Sequence, residues 1–277
     1  MAETRLTFLR TLAGAMALFL AGPASAQGWS TVQAPSSGPA RVIGTTGLGC
    51  IAGAVALPPE GAGYQVVRLS RNRNWGHPDL IRFIQSFAGR SGQDLWIGDL
   101  AQPRGGPMSS GHLSHQVGLD VDIWLDLRRK PASSRTAREN IPETSLVLPD
   151  QSGVDPARFT EAHARLIRLA AETPGVDRVL VNHGIKRSLC AMHRGEAWLH
   201  RVRPWRGHDS HMHVRLRCPA GSSDCREGAA IPAGDGCDAS LDWWMSEDAR
   251  RPRLRPPGPP PPRPQLPAAC AAVLRAP

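Results

Sequence analysis

From residue 111 to residue 125 the chain reads Gly-His-Leu-Ser-His-Gln-Val-Gly-Leu-Asp-Val-Asp-Ile-Trp-Leu. Apolar and polar residues alternate here, with Leu119, Val121, Ile123 and Leu125 on one side and Asp120, Asp122 and Trp124 on the other. A period of two predicts a half-buried strand whose apolar face packs on the core. Two carboxylates are therefore expected on the opposite face, directly after a glycine-containing loop that carries His112 and His115.

A second histidine-rich segment, residues 207–213, reads Gly-His-Asp-Ser-His-Met-His. Alternation continues to residue 217 and predicts another strand, with His211 and His213 on its polar face. The two segments together hold five of the ten histidines of the chain. If the two strands are neighbours in one sheet, Asp122 and His213 converge on one point, and His115 can reach that point from its loop.

His115, Asp122 and His213 form a ligand set that suits a zinc ion with an open coordination position, as in catalytic zinc sites. Each motif alone has a simpler explanation, because a His-x-His pair on a strand is more often exposed and Asp-x-Asp is common in turns. Their combination on strand-forming segments favours a metal site. The sequence contains no His-Glu-x2-His helix, which excludes the common metalloprotease helix.

Metal-dependent hydrolysis also needs a group that accepts a proton from water and passes it to the leaving amine. Zinc lowers the pKa of bound water from about 15.7 to about 7, so the nucleophile is available at neutral pH. His211 is our first candidate for the base, because it lies on the strand face of the ligands, and His208 is the second. His112 is a further candidate ligand, or it orients the base or contacts substrate.

The remaining pattern predicts an α+β fold with a central antiparallel sheet that carries the zinc site. Helical spacing over residues 156–172 predicts one helix, with His163 on its buried side. Pro78 is expected to open another helix that runs to Phe87. Further strands are predicted at residues 64–69, 95–97 and 178–182.

The first 26 residues have the three parts of a secretory signal peptide. Arg5 and Arg10 give a basic start, an apolar run follows, and Ala24-Ser25-Ala26 is a small-residue cleavage signal. We expect cleavage after Ala26, export to the periplasm, and no membrane span in the mature chain. An uncleaved anchor is the alternative, but the apolar run is short for a bilayer.

The charge and the cysteine content of the chain limit the kinds of partner and of metal site that it can have. The formal net charge is +9 over 277 residues, but export argues against nucleic acid, and several arginines lie in the C-terminal tail. Six cysteines in an exported chain indicate three disulfides, although fifteen pairings exist. A cysteine zinc site is the weaker alternative, because no Cys-x2-Cys pair occurs.

The C-terminal segment changes character. Nearly every other residue from Pro252 to Pro267 is proline, which favours a polyproline II strap with a reach of roughly 50 Å. We expect a zinc domain over residues 27–248 and a proline-rich segment over residues 249–277, tethered through Cys270. A disordered tail is the alternative.

The motifs resemble those of the penicillin-insensitive murein endopeptidases over roughly residues 44–270. The resemblance rests on residues 111–125, on Val-Arg-Pro-Trp at 202–205, and on His-Met-His-Val-Arg-Leu-Arg-Cys-Pro at 211–219. Asn-Trp-Gly-His-Pro-Asp-Leu at 74–80 and Ile-Gly-Asp at 97–99 are similar to the same family. The resemblance implies a periplasmic zinc peptidase of the lysostaphin/D-Ala-D-Ala-peptidase fold group, which cuts D-alanyl–meso-diaminopimelyl cross-links of peptidoglycan.

The resemblance also assigns residues. It implies His115, Asp122 and His213 as the ligands, and it implies His112, His208 and His211 as the flanking histidines. The resemblance further implies that the disulfides of the family correspond to Cys50–Cys270, Cys190–Cys237 and Cys218–Cys225. Members of the family can carry an Asp-x2-His pair where this chain reads Leu-Pro-Asp-Gln-Ser-Gly-Val (148–154). Only Asp150 matches, so a second, peripheral metal site would lack its histidine.

Two other functions fit the same residues. A D,D-carboxypeptidase or dipeptidase would use the same ligands, and a non-catalytic wall-binding protein could keep the zinc. Loss of a ligand or of both base candidates would favour the wall-binding protein, and neither loss is seen. The choice between His208 and His211 as base stays open. The oligomeric state also stays open, and a homodimer is one of the possibilities.

Overall fold

The computed structural model describes residues 26–250 and 264–277. Its strands are, in chain order, β1 (Arg41–Thr45), β2 (Leu48–Ala52), β3 (Val55–Ala56), β4 (Glu60–Gly61), β5 (Tyr64–Val66), β6 (Trp75–Gly76), β7 (Leu95–Ile97), β8 (Asp120–Trp124), β9 (Val176–Val181), β10 (Val202–Pro204) and β11 (His211–Leu216). Its helices are α1 (Ala26–Ser30), α2 (Pro78–Ser91), α3 (Arg135–Glu139), α4 (Glu161–Glu172), α5 (His183–His193), α6 (Ala239–Met245), α7 (Glu247–Arg250) and α8 (Ala269–Arg275). Single 3₁₀ turns lie at Leu69–Arg71 and Ala197–Arg201.

The central sheet of the described residues has the order β10-β9-β11-β8-β7-β5-β4. Its middle is antiparallel, since β11 pairs with β9 and β8, and β8 pairs with β7. The prediction of an antiparallel sheet is wrong for β9–β10 and β5–β7, which are parallel. Each of these pairs is joined through a helix, α5 or α2, and a helical crossover returns the chain in the same direction. The fold is therefore α+β with a mixed sheet.

The hydrophobic core lies on one face of this sheet. Val121 and Ile123 of β8 belong to the same buried cluster as Ile84 of α2 and Ile167 of α4. Complete burial of one such aliphatic side chain contributes about 1.5–3 kcal/mol. Because this face holds the apolar side chains of β8 and β11, the polar side chains of both strands are directed to the other face.

Helix boundaries follow the capping residues. Pro78 is the first residue of α2, as predicted, and His77 caps the helix by accepting a hydrogen bond from the Asp79 N–H. Helix α4 begins at Glu161, five residues later than predicted, because Thr160 takes the N-cap position. His163 is buried; its Nδ1 accepts from the Thr160 N–H, and its Nε2 lies 3.0 Å from the Leu125 carbonyl oxygen.

The two ends of the described chain meet in a second cluster. Trp29, Ile43 and Val273 pack around the Cys50–Cys270 disulfide. Buried Arg104 donates hydrogen bonds to carbonyl oxygens at the C-terminus of α8. The other disulfides are Cys190–Cys237 and Cys218–Cys225, so the three pairs are those that the resemblance implies.

Two predicted segments fall largely outside the described residues. They are the signal peptide, of which only Ala26 is described, and the proline strap, of which only the residues from position 264 onward are described. Within residues 26–250 and 264–277, none of the helices has the length and apolar character needed to cross a membrane.

Candidate metal centre

Asp122 and His213 face each other on neighbouring strands. They are direct partners in the antiparallel register of β8 and β11, and both side chains are buried. His213 Nδ1 lies 3.3 Å from Asp122 Oδ1. The alternation in the sequence thus places a carboxylate and an imidazole at one point on the polar face of the sheet, as predicted.

His115 reaches this point from the preceding loop. Its backbone is left-handed, with φ of 65°, a conformation that costs a non-glycine residue of order 1–3 kcal/mol. Its N–H donates a 3.1 Å hydrogen bond to Asp120 Oδ2, which holds the turn. The ring is fully buried, and Nε2 lies 3.4 Å from Asp122 Oδ1. The ring centroids of His115 and His213 are 4.6 Å apart.

The buried polar atoms at this point fit a metal ion. Neither ring nitrogen of His115 makes a hydrogen bond, and neither does Asp122 Oδ1. Buried polar atoms without partners are rare and call for an explanation such as an ion. His112, His115 and Asp122 each place one potential ligand atom within 4.8 Å of the others. Imidazole nitrogens and a carboxylate oxygen are ligands that zinc accepts.

Asp120 supports the cluster from beneath. Its Oδ1 lies 2.9 Å from His213 Nε2 and accepts a 2.7 Å hydrogen bond from Arg215 Nε. Burial alone would raise the pKa of Asp120, but Arg215 and His213 outweigh it and hold that pKa well below its usual value. The contact to Nε2 leaves Nδ1 of His213 directed at the cluster, and such carboxylate support is the rule for histidines that bind metals.

His112 lies at the edge of the cluster. Its Nε2 is 3.0 Å from Asp99 Oδ2 and 3.6 Å from Asp122 Oδ2. Asp99 is buried and also accepts hydrogen bonds from Arg71 and Arg73. Burial opposes ionisation of Asp99, but His112 and the two arginines lower its pKa overall. His112 is thus held by Asp99, with its ring partly exposed.

His211 sits beside Asp122 and is oriented by a second carboxylate. Its Nε2 lies 3.8 Å from Asp122 Oδ1, and its Nδ1 lies 3.5 Å from Glu143 Oε2. Glu143 also accepts hydrogen bonds from Ser210 Oγ and Arg68 Nη1, each 2.6 Å long. Burial would lower the pKa of His211, but Asp122 and Glu143 raise it overall. The interaction with His211, helped by Ser210 and Arg68, in turn lowers the pKa of Glu143 to about 2.

His208 completes the ring of histidines. Its backbone is also left-handed, with φ of 54°, and its carbonyl oxygen accepts a 2.8 Å hydrogen bond from the Asn182 N–H. The His208 ring lies 5.0 Å from the His211 ring and 5.7 Å from the His213 ring. Burial, together with the nearby His213 and His211, lowers the pKa of His208 to about 4. His208 is therefore neutral at pH 7.

The structure brings together all six predicted residues of the cluster: His112, His115, Asp122, His208, His211 and His213. Asp150 belongs to a turn, where its Oδ1 accepts hydrogen bonds from the Ser152 N–H and hydroxyl. Among the described residues, Asp150 is not part of any three-residue group that could hold a metal. A second site there stays a prediction.

Sequence reasoning missed the supporting carboxylates. Asp99 was noted only as part of a motif, and Asp120 only as a neighbour of Asp122 on the strand face. Glu143 was not singled out at all, because it lies in an irregular segment without a motif. The polar face of β8 offered a signal for Asp120, whereas no local pattern offered one for Glu143.

The arrangement can bind a divalent cation on buried ligands and present three further histidines beside it. His112, His208 and His211 are each partly exposed, so a substrate can reach them. Imidazoles next to an oriented carboxylate suit proton transfer. The geometry supports metal-assisted hydrolysis.

Comparison with known proteins gives one consistent result. The sequence model of the family described as penicillin-insensitive murein endopeptidase matches residues 42–275. A protein of that name from Yersinia enterocolitica is 42% identical over 269 residues, covering 95% of this chain and 96% of its own length. Those from Haemophilus influenzae (41% over 264 residues) and Klebsiella pneumoniae (42% over 261 residues) each cover 92% of this chain, and 90% and 93% of their own lengths.

Proposed function

Because this chain belongs to the penicillin-insensitive murein endopeptidase family, we propose that it is a zinc-dependent endopeptidase of peptidoglycan. Its substrates are the D-alanyl–meso-diaminopimelyl cross-links between stem peptides. The assignment of zinc rests on one observation: His115 and Asp122 have buried atoms that can bind a metal and that make no hydrogen bonds, and these atoms lie beside His213 Nδ1.

In this proposal His115, Asp122 and His213 hold the metal. His112 is not a ligand in this proposal, because its Nε2 already contacts Asp99. It faces the substrate instead. A bound zinc ion supplies Lewis-acid chemistry, polarising a carbonyl group and making water more acidic. Asp120 keeps His213 in the orientation and tautomer that ligation requires.

His211 acts as the general base. Glu143 faces its Nδ1, which places the ring proton there and leaves Nε2 to accept a proton near Asp122. A base must also release the proton to the leaving amine, and this works best when its pKa lies near the working pH. The raised pKa of His211 suits that task better than the lowered pKa of His208. His208 is the second candidate.

The three disulfides fit an oxidising compartment. Together with the signal peptide expected over residues 1–26, they support action in the periplasm, where peptidoglycan lies. Asp122 and His213 lie on paired strands, and three disulfides cross-link the chain, so we expect the protein without zinc to remain folded.

The proposal is tested by incubating the mature chain, residues 27–277, with purified cross-linked muropeptides. We expect dimers to become monomers when zinc is present and to persist after treatment with a chelator. Product mass separates the alternatives, because a carboxypeptidase would release free D-alanine. Binding to sacculi without any new product would indicate a wall-binding protein instead.

A further inference from the structure

A cluster of tryptophans lies on the surface, and one of its members, Trp205, is three residues from His208 in the chain. Trp205 is 52% exposed and Trp243 is 44% exposed. Trp244 lies between them, with its ring centroid 6.2 Å from Trp205 and 5.3 Å from Trp243. Large apolar side chains grouped on a surface mark a binding site more often than chance exposure. We call Trp205, Trp243 and Trp244 the tryptophan platform.

The platform is rigidly built. Trp243 and Trp244 belong to α6, and the buried side chain of Leu241 anchors this helix in the interior. The Cys190–Cys237 disulfide ties the residue before the N-cap of α6 to α5. The Trp205 N–H donates to the Val181 carbonyl oxygen at the end of β9. Aromatic side chains held in this way lose little conformational freedom on binding.

The platform is joined to the catalytic cluster by a short stretch of chain. Trp205 precedes His208 by three residues, which span at most about 11 Å. One substrate molecule can therefore contact the platform and the metal centre together. Exposed Arg206 lies between them in the chain and adds a positive charge.

We propose that the tryptophan platform binds the sugar rings of the glycan strand that carries the cross-linked peptide. The apolar faces of pyranose rings stack on aromatic rings, and their hydroxyl edges stay in water, which suits half-exposed tryptophans. Arg206 then meets the carboxylates of the peptide stem. This inference rests on the proposed function, and it adds a saccharide subsite to the peptide site.

The test compares two cross-linked substrates that differ only in their sugars: disaccharide-bearing dimers and the same peptides after removal of the sugars by an amidase. Trp205→Ala and Trp243→Ala are expected to lower kcat/KM about tenfold more on the sugar-bearing dimer, mainly through KM. Trp205→Phe retains an aromatic ring and should restore most of the loss. Val55→Ala, which truncates an exposed apolar residue of β3, is the matched control and should leave both rates unchanged.

Equal losses on the two substrates would overturn the inference, since the platform would then not distinguish sugar from peptide. So would a change of oligomeric state in Trp205→Ala by analytical ultracentrifugation, which would make the platform an interface between copies. A binding experiment separates this inference from the proposed function: chitotetraose is titrated into Asp122→Asn and into Asp122→Asn/Trp205→Ala by calorimetry. Sugar binding that depends on Trp205 supports the platform even if no cross-link is cut, and its absence rejects the platform even if cross-links are cut.

Discussion

The candidate metal centre has two halves that are built differently. Asp122 and His213 lie on paired strands, where register alone sets them opposite each other. His115 and His208 lie on loops with left-handed backbone, at φ of 65° and 54°. They are held by contacts from elsewhere in the chain, such as Asp120 for His115 and Asn182 for His208. The strand half comes with the fold, whereas the loop half depends on additional residues.

The strand half should be the more sensitive to substitution. Asp122→Ala is expected to lower kcat/KM about a thousandfold or more, because a site that loses its carboxylate ligand loses the metal contribution to the barrier. Cleavage of cross-linked muropeptides measures this. Asp126→Asn, which changes a carboxylate just after the same strand, is the matched control. Activity of Asp122→Ala within tenfold of the parent would contradict the geometry.

Glu143 links the strand residue His211 to a distant segment. Glu143→Gln is expected to lower kcat about 10- to 100-fold with little change in KM, because the base loses the carboxylate that orients it. The pH dependence of kcat should move to lower pH, since Glu143 helps to raise the pKa of His211. Glu139→Gln, which alters a partly exposed carboxylate that binds Ser70, is the control. An unchanged pH profile would remove Glu143 from the mechanism.

The loop half can be loosened without touching a ligand. Buried Gln116 accepts from the Gly49 N–H and donates to the Gly47 and Leu113 carbonyl oxygens. Gln116→Ala should lower the free energy of unfolding by about 1–3 kcal/mol and lower zinc affinity by roughly tenfold. Denaturant melts and metal competition measure both values. Gln33→Ala, at an exposed position, should change neither. Unaltered zinc affinity in Gln116→Ala would mean that the loop holds His115 without this support.

The smallest effect on activity is expected at Lys186, whose side chain binds outside the candidate site. Lys186 is buried, its Nζ donates to the Leu199 and Asp235 carbonyl oxygens, and burial with nearby Arg203 lowers its pKa to about 7. The unfolded chain therefore binds a proton between about pH 7 and pH 10 that the folded protein releases, so the free energy of unfolding should rise over this range. Lys186→Met should reduce that slope in denaturant melts. An equal slope in the variant would contradict this explanation.

The difference between the halves also sets how far the sequence could predict this structure. Alternation at residues 119–125 and 211–217 was enough to place Asp122 and His213 each on the polar face of its own strand, and the pairing of β8 with β11 brings them together. Parallel pairing of β9 with β10 could not be seen, because it depends on the path of α5 between them. Glu143 was missed because its contact with His211 joins segments 68 residues apart in sequence and follows no local period. Local patterns determine the strands and their faces, whereas tertiary packing determines which distant residues, such as Glu143, contact the site.

The zinc content of His213→Ala and His112→Ala, measured side by side by mass spectrometry of the purified proteins, tests the central claim most directly. Both histidines lie near Asp122. His213 has Nε2 on Asp120 and Nδ1 directed at Asp122 Oδ1, whereas the His112 nitrogen that lies near Asp122 is the one already on Asp99. We expect about one zinc per chain in the parent and in His112→Ala, and almost none in His213→Ala. Loss of zinc from His112→Ala, with zinc retained in His213→Ala, would contradict the assignment.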